Sequence, residues 1–208
     1  DFGYSNTNID NRHQMTADLV WTMPRLKHSM LEKLVGGWTV GAKVFAYSGR
    51  PFSVTNSQLP GQIYANFGGT IYADLLDTSI LGRKCGPSSV NTACFTQSQF
   101  VVATTNNPGL QTNYGNIPPN SFYGPAYFDI DSQITKTVRI RERMNFQIGA
   151  SAINTLNHPN FNNPSGTVTS GALGTITGTV SQPVSIYGSG QGAIVSGRVI
   201  TAVAKFVF

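Results

Sequence analysis

The chain has 208 residues, of which 11% are charged, whereas about a quarter is usual in soluble domains, so an ordinary cytosolic enzyme is disfavoured. Its net charge of +5 comes from scattered lysines and arginines rather than from a block of like charges, which argues against a nucleic-acid-binding protein. Serine, threonine, asparagine and glutamine supply most of the polarity, and with 12 Phe and 8 Tyr this composition favours β structure.

The first two predicted strands lie near the beginning of the chain. Residues 13–23 show a period-two pattern, with Leu19 and Trp21 on the apolar side and polar residues opposite. Residues 38–47 repeat the alternation, with Val44 on the apolar side. Each pattern predicts a strand with one apolar and one polar face.

Two cysteines lie in the long segment that follows. Cys85 and Cys94 are nine positions apart among turn-forming residues. We expect a local disulfide formed in an oxidising compartment, and a pair of free thiols is the alternative. The histidines are distant in sequence from both cysteines, so we expect no metal site.

Three further strands are predicted in the second half of the chain. Residues 127–139 alternate most clearly, with Ile134 on the apolar side and Asp131 on the polar side. Residues 144–154 and 196–208 show the same period. A short charged turn joins the first two of these strands, whereas a long connection precedes the last.

The length of these strands indicates the kind of sheet. A tilted strand needs about 9–11 residues to cross a hydrocarbon layer, and outer-membrane barrels alternate short turns with long outer loops. We therefore predict an all-β fold, in which an antiparallel sheet of long strands is part of a transmembrane β-barrel with long extracellular loops at 48–126 and 156–195. Trp21, Trp38 and Phe208 would lie near the membrane interfaces.

Catalytic patterns are weak. Asp129 and Asp131 are two apart on one predicted strand face, where paired carboxylates could perform acid–base chemistry. The favoured interpretation is that both face the channel, either hydrated or paired with Lys and Arg on neighbouring strands. The glycine-rich segment 188–192 lacks the Lys-Ser/Thr pair of a phosphate loop. We expect neither enzymatic activity nor a cofactor.

Several motifs occur together and in a characteristic order. They are Asp10-Asn11-Arg12-His13, Gly36-Gly37-Trp38, Ser48-Gly49-Arg50-Pro51-Phe52, Asn91-Thr92-Ala93-Cys94-Phe95 and Asn154-Thr155-Leu156-Asn157-His158-Pro159-Asn160-Phe161. With them the chain resembles the C-terminal part of a TonB-dependent outer-membrane receptor, most closely the Oar-like group of acidobacteria, whose members contain a carboxypeptidase-regulatory-like domain. The resemblance covers nearly all of residues 1–208 and implies location in the outer membrane of a Gram-negative bacterium.

The resemblance also implies a function. The parent receptor would bind a scarce nutrient at its outer loops and import it with energy transmitted by TonB. Such receptors have about 22 strands around a plug, so the five predicted strands would be one portion of the barrel wall, in contact with outer-membrane lipid. TonB would act through regions of the parent that this sequence does not contain.

The last predicted strand resembles the signal that the barrel-assembly machinery reads. A terminal phenylalanine is preceded by apolar residues at alternate positions. The residues of this signal are Ile200, Ala202, Ala204, Phe206 and Phe208.

Aromatic residues of the long loops are the candidate ligand contacts. Their rings could stack on a sugar, a peptide or a chelate, although aromatic residues equally anchor loops to one another. The candidates are Tyr64, Phe67, Tyr72, Tyr114 and Tyr123, with Phe95, Phe100 and Phe122 in the same loops.

Two other classes of protein fit part of the sequence. A self-assembling fragment could form an extracellular fibre or tube, with strand edges pairing between copies of the chain. A secreted carbohydrate-binding β-sandwich fits the composition but not the five long strands.

Overall fold

The computed structural model describes residues 5–24, 35–56, 70–101, 115–141, 144–180 and 197–208. The chain divides into two compact units, each made of three segments. The sheet unit comprises Gln14–Tyr47, Tyr127–Asn160 and Val180–Phe208, and the loop unit comprises Asp1–His13, Ser48–Ala126 and Phe161–Thr179.

Seven strands occur among these residues. They are β1 (Gln14–Thr22), β2 (Trp38–Tyr47), β3 (Pro51–Phe52), β4 (Phe122–Tyr123), β5 (Tyr127–Arg141), β6 (Met144–Ile153) and β7 (Val199–Val207). The five long strands form one antiparallel sheet in the order β1-β2-β5-β6-β7, and the all-β antiparallel fold predicted from the sequence is confirmed. No helix in the described ranges is long and apolar enough to cross a membrane.

The register of the sheet aligns the apolar positions of all five strands. One straight row runs from Trp21 to Val40, Ile134, Ala150 and Ala202, each directly opposite the next. Because side chains alternate between the faces of a strand, this alignment produces one continuous apolar face.

The opposite face of the sheet is polar. Gln133, Ser151 and Thr201 form the row next to the apolar one. Asp18 and Lys43 are paired in register and form an ion pair of 3.6 Å, with Asp131 opposite Lys43 on the other side. The period-two pattern of the sequence therefore separates an apolar face from a hydrogen-bonding face.

The loop unit has a hydrophobic core of its own. β3 pairs with β4, and three short 3-10 helices, Thr78–Ile80, Pro87–Val90 and Gln97–Gln99, lie within the unit. The segments predicted only as long outer loops are thus packed structure over much of their length. The core consists of Phe52, Val54, Ala73, Leu75, Ile80, Cys85, Phe95, Phe100, Ile117, Phe122, Val168 and Leu173.

A disulfide fastens this unit, as predicted. Cys85 and Cys94 are bonded, with their Cα atoms 5.7 Å apart. Cys85 is buried in the core and Cys94 packs against it, so the bond joins the segment before the second 3-10 helix to the segment before Phe95.

Candidate functional site

A cleft of about 400 Å³ opens within the loop unit. It is formed by three short segments that are distant in sequence, around residues 12, 48 and 84, together with the segment that follows Phe122. The lining residues are Arg12, His13, Ser48, Gly49, Lys84, Cys85, Gly86, Pro87, Tyr123, Gly124, Pro125 and Ala126.

Backbone pairing holds one side of the cleft. The Ser48 N–H donates to the His13 carbonyl at 2.9 Å, and the His13 N–H donates to the Ser48 hydroxyl at 3.2 Å. A β-carbon added to Gly49 would lie 1.8 Å from the Gly124 carbonyl oxygen. Glycine at position 49 is therefore required for the two backbones to approach this closely.

The other side is a backbone ladder tied to the disulfide. The Cys85 N–H donates to the Tyr123 carbonyl at 2.8 Å, and the Tyr123 N–H donates to the Arg83 carbonyl at 3.0 Å. Lys84 lies between these two bonds and its side chain is exposed. The Cys85–Cys94 bond thus fixes the segment that contains Lys84.

Arg12 is held against Tyr123. Its guanidinium carbon lies 4.9 Å from the centre of the Tyr123 ring, and the guanidinium also donates a hydrogen bond to the Tyr123 hydroxyl. The Asn6 amide donates to the same hydroxyl at 3.0 Å. These contacts position a cation at the cleft, and the described lining residues include no carboxylate.

The predicted ligand-contacting aromatics have different locations. Tyr123 lines the cleft. Tyr72 is partly buried and its backbone forms a bridge with Thr55. Tyr64, Phe67 and Tyr114 lie outside the described residues.

The phenylalanines of the same loops are not ligand contacts. Phe95, Phe100 and Phe122 are almost fully buried, and Phe95 packs edge-on against the other two, with ring centres 5.9 and 4.7 Å away. For these three residues the alternative interpretation holds, because they anchor the loops to one another through the core. Sequence alone does not separate the two roles, since the short segments that contain these residues have no periodic pattern.

Asp129 and Asp131 are not hydrated channel groups. They are 0% and 1% exposed. Asp131 accepts a hydrogen bond from the Asn154 N–H at 3.0 Å, and Asp129 accepts one from the Tyr127 hydroxyl at 3.3 Å. Lys43 lies opposite Asp131 in register but forms its ion pair with Asp18, so the described residues show no ion pair between Asp131 and a cation on an adjacent strand.

The predicted assembly-signal residues occupy one face of β7. Ile200, Ala202, Ala204 and Phe206 lie opposite apolar residues of β6, and Phe208 follows the strand with 91% exposure. Phe206 is opposite Phe146, and Trp38 is near the end of the sheet that also contains the short β5–β6 turn. Aromatic residues therefore concentrate at this end of the apolar face.

No group of three or more His, Cys, Asp or Glu in the described part of the chain could hold a metal ion. The polar chemistry of the cleft is that of cations, a phenol and small neutral residues.

Comparison with known families agrees with the sheet. The family described as outer membrane beta barrel domain matches residues 1–191, so the chain belongs to this family. The sheet unit is accordingly part of a transmembrane β-barrel in the outer membrane, and its apolar face is the face that such barrels turn to lipid. No curated protein and no solved structure matches the chain.

Proposed function

We propose that the chain is the C-terminal part of a TonB-dependent-receptor-like protein that binds and imports a scarce nutrient. The observation that carries the proposal is the division of the chain into a barrel-wall sheet and a packed loop unit with an open cleft. A wall needs only short connections between its strands, so a loop unit with its own core favours a ligand-gathering role.

The topology supports an outer location for the loop unit. Register places Tyr47 beside Tyr127, and Ile153 beside Val199, at one end of the sheet. The long connections leave and rejoin the sheet at these positions, whereas the short β5–β6 turn is at the opposite end. Barrels of the outer membrane have their long loops outside and their short turns in the periplasm.

The same assignment specifies the partners. Outer-membrane lipid would contact the apolar face, the barrel-assembly machinery would recognise β7, and TonB would act through other regions of the parent protein. The ligand would be a nutrient, with no enzymatic conversion, cofactor or nucleic acid involved.

The edges of the sheet require further strands. β1 and β7 are its two outer strands in the described residues. Each backbone group left unpaired in lipid would cost on the order of several kcal/mol. Other strands of the parent would therefore pair with both edges of the sheet. Pairing between copies of this chain into a fibre is the alternative use of the same edges.

Electron microscopy with intact-mass analysis of the isolated protein tests the proposal. Barrel-sized particles in detergent, with a mass well above that of 208 residues, would support the receptor. External protease should cut the loop unit in intact cells and leave the sheet protected. Filaments made of a chain of this length would contradict the proposal and support self-assembly.

A further inference from the structure

We propose that the cleft of the loop unit binds a small molecule bearing carboxylate or phosphate groups. The inference rests on the proposed function for its biological setting, because it identifies the class of nutrient that the loop unit would capture. Its chemical basis is the cleft itself.

The charged side chains of the cleft lining are positive. Arg12 and Lys84 both belong to the cleft, and neither forms an ion pair with a carboxylate of the described residues. The neighbouring Arg83 is engaged elsewhere, since it donates to the Cys94 carbonyl at 2.9 Å. Two cations that have no anionic partner among the described residues favour an anion at this position.

The guanidinium of Arg12 is already positioned before a ligand binds. Arg12 is fixed by the ring and the hydroxyl of Tyr123, and a guanidinium has five N–H donors, so donors remain for a ligand. Side chains that are already positioned lose less conformational entropy when they bind. An arginine presented in this way suits the planar, two-oxygen geometry of carboxylate and phosphate groups.

The other residues of the lining argue against a sugar or a cation as the ligand. It contains no Asp, Glu, Asn or Gln among the described residues, although sugar recognition relies heavily on such side chains and a cation would need their oxygens. Gly86 contributes no side chain to the lining, and a β-carbon at this position would have no neighbouring atom within 4 Å, so the cleft is open there. A volume of about 400 Å³ is in the range of small-molecule sites.

Binding to the full chain in detergent tests the inference. Isothermal titration would use citrate and inorganic phosphate as probes and a neutral disaccharide as the control ligand. Lys84→Gln should weaken binding of the anions at least about tenfold, since it removes a charged hydrogen-bond donor from the cleft. Arg12→Gln should weaken it further, and higher salt should weaken binding to the unsubstituted protein.

A matched variant controls for the loss of charge. Arg139→Gln removes one positive charge from β5, in the sheet unit, and should leave anion binding unchanged. Because the Lys84 side chain is exposed, Lys84→Gln should keep the thermal stability of the loop unit. If neither anion binds, if Lys84→Gln and Arg139→Gln have equal effects, or if the disaccharide binds more tightly, the inference is overturned.

The experiments distinguish failure of the anion site from failure of the proposed receptor function. A protein that forms single barrels but binds neither anion would contradict only the inference about the cleft. Filaments that bind citrate through Lys84 would contradict the receptor and leave the anion site in place.

Discussion

Asn160 continues the sheet beyond the end of β6 by pairing with the backbone of Phe128. Its side-chain oxygen accepts from the Phe128 N–H at 2.9 Å, and its side-chain nitrogen donates to the Phe128 carbonyl at 2.9 Å. β6 pairs with β5 only from Ser132 onward, so the amide of Asn160 satisfies backbone groups that β6 does not reach.

Replacement of Asn160 by alanine should destabilise the protein by about 1–3 kcal/mol, because it leaves backbone groups of Phe128 without partners. Asn160 is 1% exposed, which limits replacement of the amide by water. The free energy of unfolding measured with denaturant gives the change. Asn162→Ala is the matched control, since that side chain is exposed, and equal losses in the two variants would refute the role of Asn160.

An asparagine side chain also pairs with a distant backbone in the loop unit. Such contacts between residues far apart in the chain could not be predicted from the sequence. The Asn116 amide pairs with both backbone groups of Leu75 at 2.8 and 3.1 Å. The two asparagines are 32 and 41 residues from their partners. Strands and the disulfide were predictable because period two and close cysteine spacing are local signals.

The loop-unit core was not predictable, because Val54 and Val168 are buried in irregular backbone and Ile80 in a 3-10 helix of three residues, none of which has a periodic pattern. The cleft was missed for a related reason. Arg12, Lys84 and Tyr123 come from three separate parts of the sequence, and only tertiary packing brings them together.

Asp18, Lys43 and Asp131 form a charged row on the polar face of the sheet. Substitutions in this row should change the free energy of unfolding by different amounts. Lys43→Gln should destabilise the protein by about 1–3 kcal/mol, because the buried carboxylate of Asp131 loses the cation opposite it. Asp18→Asn should cost less than about 1 kcal/mol, since the Asp18 side chain is 57% exposed. Thermal unfolding of both variants in detergent measures the difference, and a larger effect of Asp18→Asn would contradict this assignment.

The two faces of β6 provide a direct test of which one meets lipid. Ala150 lies between Ile134 and Ala202 on the apolar face, whereas Ser151 lies between Gln133 and Thr201. Ala150→Arg should destabilise the vesicle-inserted protein by about 2–4 kcal/mol, because it places a charge in hydrocarbon. Ser151→Arg is the adjacent control and should have a clearly smaller effect on the free energy of unfolding in vesicles. The reverse order would assign lipid to the other face.

Loss of the disulfide should loosen the loop unit. If a disulfide acts by reducing the conformational entropy of the unfolded chain, a bond between cysteines nine positions apart adds about 2–3 kcal/mol to the free energy of unfolding. The double substitution of Cys85 and Cys94 by alanine should therefore speed proteolysis within Ser48–Ala126 and leave the five-stranded sheet intact. Reduction of the unsubstituted protein with a thiol should have the same result. Unchanged proteolysis after both treatments would show that the core alone fixes this segment.

Two aspartates of the loop unit should change stability with pH in opposite directions. Burial raises the pKa of Asp74 above its ordinary 3.8, although a backbone hydrogen bond from Asn116 opposes the shift. The ionised carboxylate is therefore unfavourable in the folded protein, and the stability that this residue contributes at low pH is lost as pH rises through its folded pKa. Hydrogen bonds from the Ser79 hydroxyl and N–H lower the pKa of Asp77, so its contribution is present above 3.8 and is lost as pH falls through its folded pKa.

Asp74→Asn should accordingly make the loop unit more stable at pH 7, and this gain should shrink towards pH 3. Asp77→Asn serves as the matched substitution with the opposite sign, because it removes the charge from the carboxylate that accepts from Ser79 at 2.9 Å. Denaturant unfolding of both variants at the two pH values measures the changes. If Asp74→Asn destabilises the unit at pH 7, the buried carboxylate is a stabilising group and burial is not the dominant cause of its pKa.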